Sequence, residues 1–264
     1  MMGEWDIETL PIQIRKHVAS SHWQPILIGK SGSCVYLLTD EKNSRRYLKI
    51  TAKTLRLDLK REGAILQWLD GKLPVPKVLA FASSRTHEYL LISEIKGRVS
   101  SDPSFHTNLR EFIRILAHGL RAIHSLDIHN CPFSNRLDRK LNEAKKRMDR
   151  GLVDEENFDP IRQGKTAAGL YEELLKRKPE TEDLVFTHGD FCLPNILIAK
   201  GKISGYIDWG RGGVADRYQD LALIARGLKR KFGADWVALF FQEYGLNQMD
   251  DDKIAYYQLL DEFF

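Results

Sequence analysis

The first third of the chain alternates apolar and polar positions in short runs that predict β-strands. Three such runs, rich in branched and aromatic residues, are QPILIGK (24–30), CVYLLT (34–39) and RRYLKIT (45–51). The first two are separated by GKSGS and the next two by DEKNS, and both separators have turn-forming compositions. The pattern therefore predicts an antiparallel meander.

A helix and two further strands follow before the pattern changes. Residues 55–72 have the apolar spacing of a helix, which Gly71 ends. VLAFAS (78–83) and EYLLISEI (88–95) are again typical of strands. This part of the chain thus predicts a small sheet with one helix.

From Asp102 onward the apolar spacing is helical. A long helix is predicted here, with Ser101 or Asp102 ahead of Pro103 as its cap. One face of it carries Leu109, Phe112, Ile113, Leu116, Leu120 and Ile123. The other predicted elements are helices at 136–149, 165–177 and from about 216 to the end, and a β-island at 184–208 with a hairpin turn at 201–203.

Strands with one helix, followed by helices around a β-hairpin, predict an α+β chain in two lobes. The junction falls near SEIKG (93–97), so we expect an N-terminal lobe at 1–95 and a larger, mainly helical lobe at 96–264. Ligands often bind in the cleft between such lobes.

Composition adds a cellular setting and excludes some partners. The net charge of +4 over 264 residues is mild, and the basic runs at 145–147, 176–178 and 229–231 are dispersed, so no nucleic-acid partner is expected. The three cysteines share no CxxC spacing, which favours a reducing compartment. Without a secretory signal or an apolar run of the ~20 residues that cross a bilayer, we expect a cytoplasmic protein with no membrane partner.

The stretch THGDFCLPN (187–195) carries the first chemical signal. Asp190 and Asn195 have the D-x-x-x-x-N spacing of a kinase catalytic loop, in which the Asp takes or orients a hydroxyl proton and the Asn binds metal. Asp208 follows thirteen positions later, after a predicted hairpin, where a kinase places its second metal ligand. Each part alone is typical of a capped turn, but the three in order predict a protein-kinase-like metal–nucleotide site.

Upstream residues complete this phosphoryl-transfer set. Lys49 lies in the third strand, and a strand lysine can hold the donor phosphates when a glutamate of the next helix supports it. Glu62 is the favoured partner, with Glu88 and Glu94 as alternatives. In GKSGS, Ser31 and Ser33 stand where a phosphate-covering loop would lie, and backbone N–H groups there can bind phosphate oxygens.

The chain resembles the aminoglycoside phosphotransferases, and most of all the 3′-phosphotransferases that confer resistance to kanamycin and neomycin. The residues that carry the likeness are HGDFCLPN (188–195), YIDWGRGGVADRYQDLAL (206–223) and the terminal LLDEFF (259–264), with support from 73–79 and 124–132. The likeness implies a kinase using ATP and Mg²⁺, with Asp190 catalytic and Asn195 and Asp208 on the metal.

The resemblance also implies roles for residues that carry little signal by themselves. Tyr47 would stack on adenine, and the backbone of Ser93 and Ile95 would bind the adenine edge. Arg226 would border the drug pocket, although the sequence alone favours a structural ion pair with a nearby Asp for it. Arg211 would steady the catalytic loop or a phosphate.

An aminoglycoside is a polycation, so its site should collect carboxylates. One candidate patch is DEENFDP (154–160), which contains Glu156 and Asp159 and is equally typical of a solvated loop. The other is the end of the chain, where Asp261, Glu262 and the α-carboxylate of Phe264 fall within one helical turn. Asp190 would contact the reacting hydroxyl of the same acceptor.

Three rival functions remain at this point. A kinase of the same fold could phosphorylate another amino alcohol of the choline, homoserine or ketosamine type, and choline would require an aromatic cage. A non-catalytic nucleotide-binding module and a protein kinase are weaker, because all the catalytic parts are present and no long activation segment fits after Asp208. We expect a monomer or weak dimer, and GTP use, the drug spectrum and modification at a 5″-hydroxyl stay open.

Overall fold

The computed structural model describes residues 7–26, 33–55, 58–246 and 248–264. The strands are β1 (His22–Ile26), β2 (Cys34–Thr39), β3 (Arg45–Ala52), β4 (Val78–Ser83), β5 (His87–Ser93), β6 (Arg98–Val99), β7 (Leu184–Thr187), β8 (Ile196–Ala199), β9 (Lys202–Tyr206) and β10 (Gly213–Asp216). The helices are α1 (Ile12–Val18), α2 (Leu59–Leu69), α3 (Leu109–His124), α4 (Leu137–Met148), α5 (Ala167–Lys176), α6 (Tyr218–Phe232), α7 (Ala234–Tyr244) and α8 (Asp251–Asp261). The predicted α+β composition is confirmed.

The chain divides into two compact units. The first contains 1–98, 197–200 and 204–210, and the second contains 99–196, 201–203 and 211–264. Strands β6, β8 and β9 each include a boundary between the units. The segment from 197 to 210 therefore contributes to both units, which a single cut at 95/96 does not anticipate.

The first unit is built on a five-stranded sheet of order β1-β2-β3-β5-β4, antiparallel throughout. The predicted meander of the first three strands is present. Its second turn is tightened by the carboxylate of Asp40, which accepts the backbone N–H groups of Lys42 and Ser44 at 3.0 and 2.8 Å. Asn43 takes the left-handed conformation that such a turn needs (φ 59°).

Alternate residues of β3 face different helices on the two sides of this sheet. Leu48 and Ile50 of β3 lie in a core cluster with Ile14 and Val18 of α1. Lys49, between them, points to the opposite face, and it pairs in register with Leu90 of β5. Helix α2 covers that opposite face so closely that a Cβ on Gly63 would lie 3.2 Å from Leu90. The alternation of β3 thus turns the lysine toward α2.

Two details of the helices differ from the sequence-based predictions. Helix α1 was not anticipated, because only Ile14 and Val18 of its seven residues are buried and two positions make a weak periodic signal. Helix α3 begins at Leu109, and its cap is Asn108, which accepts the N–H of Glu111 at 3.2 Å. Asp102 instead caps a short 3₁₀ helix at 103–107, so its prediction as the cap of α3 is wrong.

The second unit packs helices around a two-stranded sheet. Helix α3 packs on α7, and α6 packs on both α7 and α8. Strand β10 pairs antiparallel with β7, so that Thr187 lies opposite Gly213. The loop that follows β7 therefore begins beside the segment that precedes β10, and this pairing positions the loop described below.

A hairpin turn joins β8 to β9 as predicted, but it lies at Lys200 and Gly201, both at positive φ, because 202 and 203 of the predicted 201–203 already belong to β9. Within the described ranges, every helix is too short or too polar to span a bilayer. The cysteines Cys34, Cys131 and Cys192 are free thiols.

The core behind β3 predicts a stability effect. Replacing Leu48, which is fully buried, by Ala removes packed methyl groups and leaves a cavity, so we expect about 2–5 kcal/mol less free energy of unfolding in urea titrations. The exposed Lys60→Ala serves as control and should change it by less than about 0.5 kcal/mol. Equal midpoints for the two variants would contradict this account of the core.

Candidate active site

Within the first unit, a buried ion pair joins β3 to α2. Lys49 Nζ lies 2.5 Å from Glu62 Oε1 and 3.0 Å from Asp208 Oδ1. The backbone N–H of Trp209 also donates to the Glu62 carboxylate. The lysine therefore has a fixed position with acids on two sides.

Charge and burial act in opposite directions at this pair. Burial alone would lower the pKa of Lys49, but the carboxylates of Glu62 and Asp208 more than offset it and raise that pKa. Burial likewise raises the pKa of Glu62, and Lys49 opposes that rise. The lysine consequently keeps its positive charge throughout the physiological range.

The alternative partners of Lys49 have other contacts. Glu88 accepts the N–H of Leu59 at 3.0 Å, at the start of α2, and Glu94 pairs with Arg45 at 3.0 Å. The ion pair predicted between Lys49 and Glu62 is present. Their contact with nucleotide phosphates stays a prediction.

Asp208 sits in an unusual backbone conformation. Its φ is 68°, in the left-handed region that costs a residue with a Cβ about 1 kcal/mol and that Asp and Asn tolerate best. Trp209 beside it is fully buried, and its ring N–H donates to the Tyr206 carbonyl at 3.2 Å. The buried tryptophan holds the turn, and the aspartate side chain remains 55% exposed. An accessible carboxylate oxygen suits a hard cation such as Mg²⁺.

Other residues predicted to bind nucleotide lie in the same unit. Tyr47 is half-buried on β3, and burial raises the pKa of its hydroxyl. The N–H of Ser93 donates to the Lys77 carbonyl at 2.9 Å. The Ile95 side chain packs against Gly205, where a Cβ would lie 2.4 Å from it. Ser33 precedes β2, and Ser31 lies outside the described residues.

Within the second unit, Asn195 orients Asp190. The Asn195 side-chain N–H₂ donates to the Asp190 carboxylate at 2.9 Å and to its backbone carbonyl at 3.0 Å. Because the amide nitrogen is used in this way, the amide oxygen is the atom that can bind a metal. The five-residue spacing thus places a carboxylate and an amide in direct contact.

A buried carboxylate that the sequence analysis missed anchors this loop. Asp220, on α6, is fully buried and accepts the backbone N–H groups of His188 and Gly189, each at 2.7 Å. The ring of His124 lies 3.0 Å from the same carboxylate. An acid inside the apolar run DLALIA was the available signal, since acids are almost never fully buried without partners.

His188 contributes to the loop through its ring. It is fully buried, and its Nδ1 accepts the backbone N–H of Asp190 at 3.3 Å. The ring of the histidine thus hydrogen-bonds the loop backbone. The loop is therefore fixed on both sides of the glycine.

Gly189 occupies a place where no side chain fits. Its φ is 81°, and a Cβ there would lie 2.0 Å from the backbone carbonyl oxygen of Arg211. That carbonyl cannot move freely, because the side chain of Asn135 donates to it at 2.6 Å. The close approach of the Arg211 backbone thus explains why the middle residue of HGD is glycine.

The predicted acceptor carboxylates are paired with arginines. Glu262 pairs with Arg162 at 3.0 Å and is buried, Asp261 pairs with Arg226, and Asp159 pairs with Arg230. The structural ion pair predicted for Arg226 is thus present. These acids form a nearly charge-balanced cluster, whereas the sequence alone suggested open carboxylates.

The remaining acceptor candidates are less enclosed. Glu156 is exposed in its loop. The ring of Phe264 is partly buried, with Lys140 Nζ 3.4 Å from its centre, and its backbone oxygen accepts from Arg211 at 2.7 Å. Burial lowers the pKa of Lys140 to about 7. The side chain of Arg211 therefore holds the chain end, while its backbone packs on Gly189.

The chain is similar in sequence and fold to known phosphotransferases. Residues 22–258 match the family described as "Phosphotransferase enzyme family". An aminoglycoside 3′-phosphotransferase of Niallia circulans is 45% identical over 90% of each chain. The crystal structure of an aminoglycoside-3′-phosphotransferase of type VIII is 32% identical, with a TM-score of 0.86 over 95% of this chain and 96% of that one. An aminoglycoside phosphotransferase of Streptomyces rimosus, solved with ADP and streptomycin, is 25% identical, with a TM-score of 0.81 over 95% and 96% of the two chains.

The crowding at position 189 predicts opposite effects for two equivalent substitutions. Gly189→Ala forces a Cβ onto a fixed carbonyl at positive φ, so we expect a loss of more than about 1 kcal/mol of unfolding free energy and a sharp fall in kcat. Gly227→Ala, in helix α6 with open space around it, should stabilise by about 0.5–1 kcal/mol. Chemical denaturation of both variants tests this. An unchanged free energy of unfolding in Gly189→Ala would refute it.

Proposed function

Because this chain belongs to the aminoglycoside phosphotransferase family, we propose that it transfers the γ-phosphoryl group of ATP to the 3′-hydroxyl of kanamycin- and neomycin-type aminoglycosides and so gives antibiotic resistance. The observation that carries the proposal is the Asp190 loop. Its carboxylate is oriented by Asn195, and its backbone is anchored by Asp220. Such a fixed carboxylate suits an incoming hydroxyl, which it can align and deprotonate.

The charges of the first unit suit the nucleotide. Lys49, held between two carboxylates, would bind donor phosphates, and Tyr47 with the backbone of Ser93 and Ile95 would bind adenine. Asn195 and Asp208 each offer an oxygen atom, the type of ligand that Mg²⁺ prefers, and we propose each of them as a metal ligand. When bound, Mg²⁺ would neutralise charge on the phosphates.

We propose the cytoplasm as the site of action, with a monomer or weak dimer as the active form. ATP is supplied in that compartment, and free thiols at Cys34, Cys131 and Cys192 are typical of a reducing environment. Sedimentation of the purified protein would measure the oligomeric state.

The catalytic role of Asp190 predicts a split between rate and binding. Asp190→Asn keeps the shape of the side chain and an acceptor for Asn195, but it removes the proton-accepting charge. We expect kcat to fall about 10²–10⁴-fold, with KM for ATP and drug changed only a few-fold. Asp235→Asn, on the exposed start of α7, is the control. Near-normal turnover in Asp190→Asn would disprove the assignment.

The acceptor is tested by a panel of alcohols with the purified enzyme. Kanamycin and neomycin should consume ATP, whereas a kanamycin lacking the 3′-hydroxyl should not, because no nucleophile remains at the reacting position. Choline tests the alternative amino-alcohol kinase. Phosphorylation of the 3′-deoxy drug, or of choline in preference to kanamycin, would overturn the proposed acceptor.

A further inference from the structure

The carboxylates proposed for the drug form one cluster with the catalytic loop. The carbonyl of Arg211 packs on Gly189, beside Asp190, and the guanidinium of Arg211 lies 3.4 Å from Asp261. Glu262, the next residue, accepts the backbone N–H of Asp159 at 3.0 Å. All of these residues belong to the second unit. Asp159 is therefore joined to the reacting carboxylate by a continuous series of contacts.

The arginines that pair with these acids differ in how firmly they are held. The side chains of Arg162 and Glu262 are 7% and 5% exposed, and Arg162 also donates to the Ala255 carbonyl at 3.5 Å. Withdrawing Arg162 would leave a buried charge without its partner, which is costly. This pair is part of the fold.

Arg230 is held much less firmly. Its side chain projects from α6 and is 55% exposed, whereas its partner Asp159 is only 12% exposed. An ion pair with one partner in water is weak, and its arginine can move into solvent at little cost. Arg226, one helical turn earlier, is 21% exposed and bound to Asp261. Arg230 is thus the most displaceable of these counter-ions.

We propose that Arg230 is a resident counter-ion that occupies the place of one drug ammonium at Asp159 and thereby determines selectivity among acceptors. The inference rests on the proposed aminoglycoside acceptor. An ammonium group can reach Asp159 only after the guanidinium has left. Arg230 therefore competes more strongly with acceptors that carry more amino groups, such as neomycin, than with kanamycin, which carries fewer.

The matched test compares two substitutions that remove the same charge from one helix. Arg230→Ala should lower KM for neomycin about two- to five-fold, with kcat within about two-fold and KM for ATP unchanged. The effect should shrink as salt is raised from low to physiological ionic strength. Lys229→Ala, on the exposed face beside it, should leave KM for neomycin unchanged.

A double-mutant cycle identifies the partner. Asp159→Asn retains an oxygen to accept the N–H of Ile161 but removes the charge, so the gain from Arg230→Ala should disappear in the Asp159→Asn background. Equal neomycin KM values for Arg230→Ala and Lys229→Ala, or a gain that persists when Asp159→Asn is also present, would overturn the proposal.

The outcome in the unmodified enzyme separates this inference from the function on which it rests. If the unmodified enzyme phosphorylates kanamycin and neomycin while Arg230→Ala behaves like it, only the counter-ion proposal fails. If it phosphorylates neither drug, both fail. Calorimetric titration of neomycin into each variant without ATP gives a second measure, in which Arg230→Ala should tighten binding by the same factor.

Discussion

A single buried carboxylate, Asp220, determines the conformation on which the second unit's chemistry depends. Two backbone N–H groups of the HGD loop point at it, so the loop cannot shift without leaving an unpaired charge in the core. A hydrogen-bonded network continues behind it. The ring of His124 lies 2.7 Å from the Tyr244 hydroxyl, which accepts from Arg217 at 3.0 Å. The loop that carries Asp190 is thus held through its backbone, and the Asp190 carboxylate is oriented separately by Asn195.

The first unit applies the same physical rule with the opposite charge. Lys49 is enclosed, yet it keeps its proton because acids approach it from a helix and from a turn. In both units, specific partners surround a buried ionisable side chain and fix its position. Phosphoryl transfer depends mainly on positioning and charge, so fixed groups of this kind suit it.

Much of this could be predicted from the sequence, and the failures have physical causes. Alternation in RRYLKIT determined which way Lys49 faces, and D-x-x-x-x-N spacing brought Asp190 to Asn195. Local patterns carry such information because it lies within one element. The pairing of Asp159 with Arg230, 71 positions apart, depends on how helices pack, and no local pattern encodes it. For that reason the acidic patches looked more open than they are.

The contact between Gly189 and the Arg211 carbonyl also limits how this enzyme can diversify. Where a backbone oxygen stands at the place of a first side-chain atom, every amino-acid substitution at that position meets a steric clash. If the proposed acceptor site is correct, new drug ranges would then arise elsewhere, on the outward turns of α6 and in the acidic segment at 154–160. Selection by new antibiotics would accordingly leave its record on the rim of the site while the loop beneath stays constant.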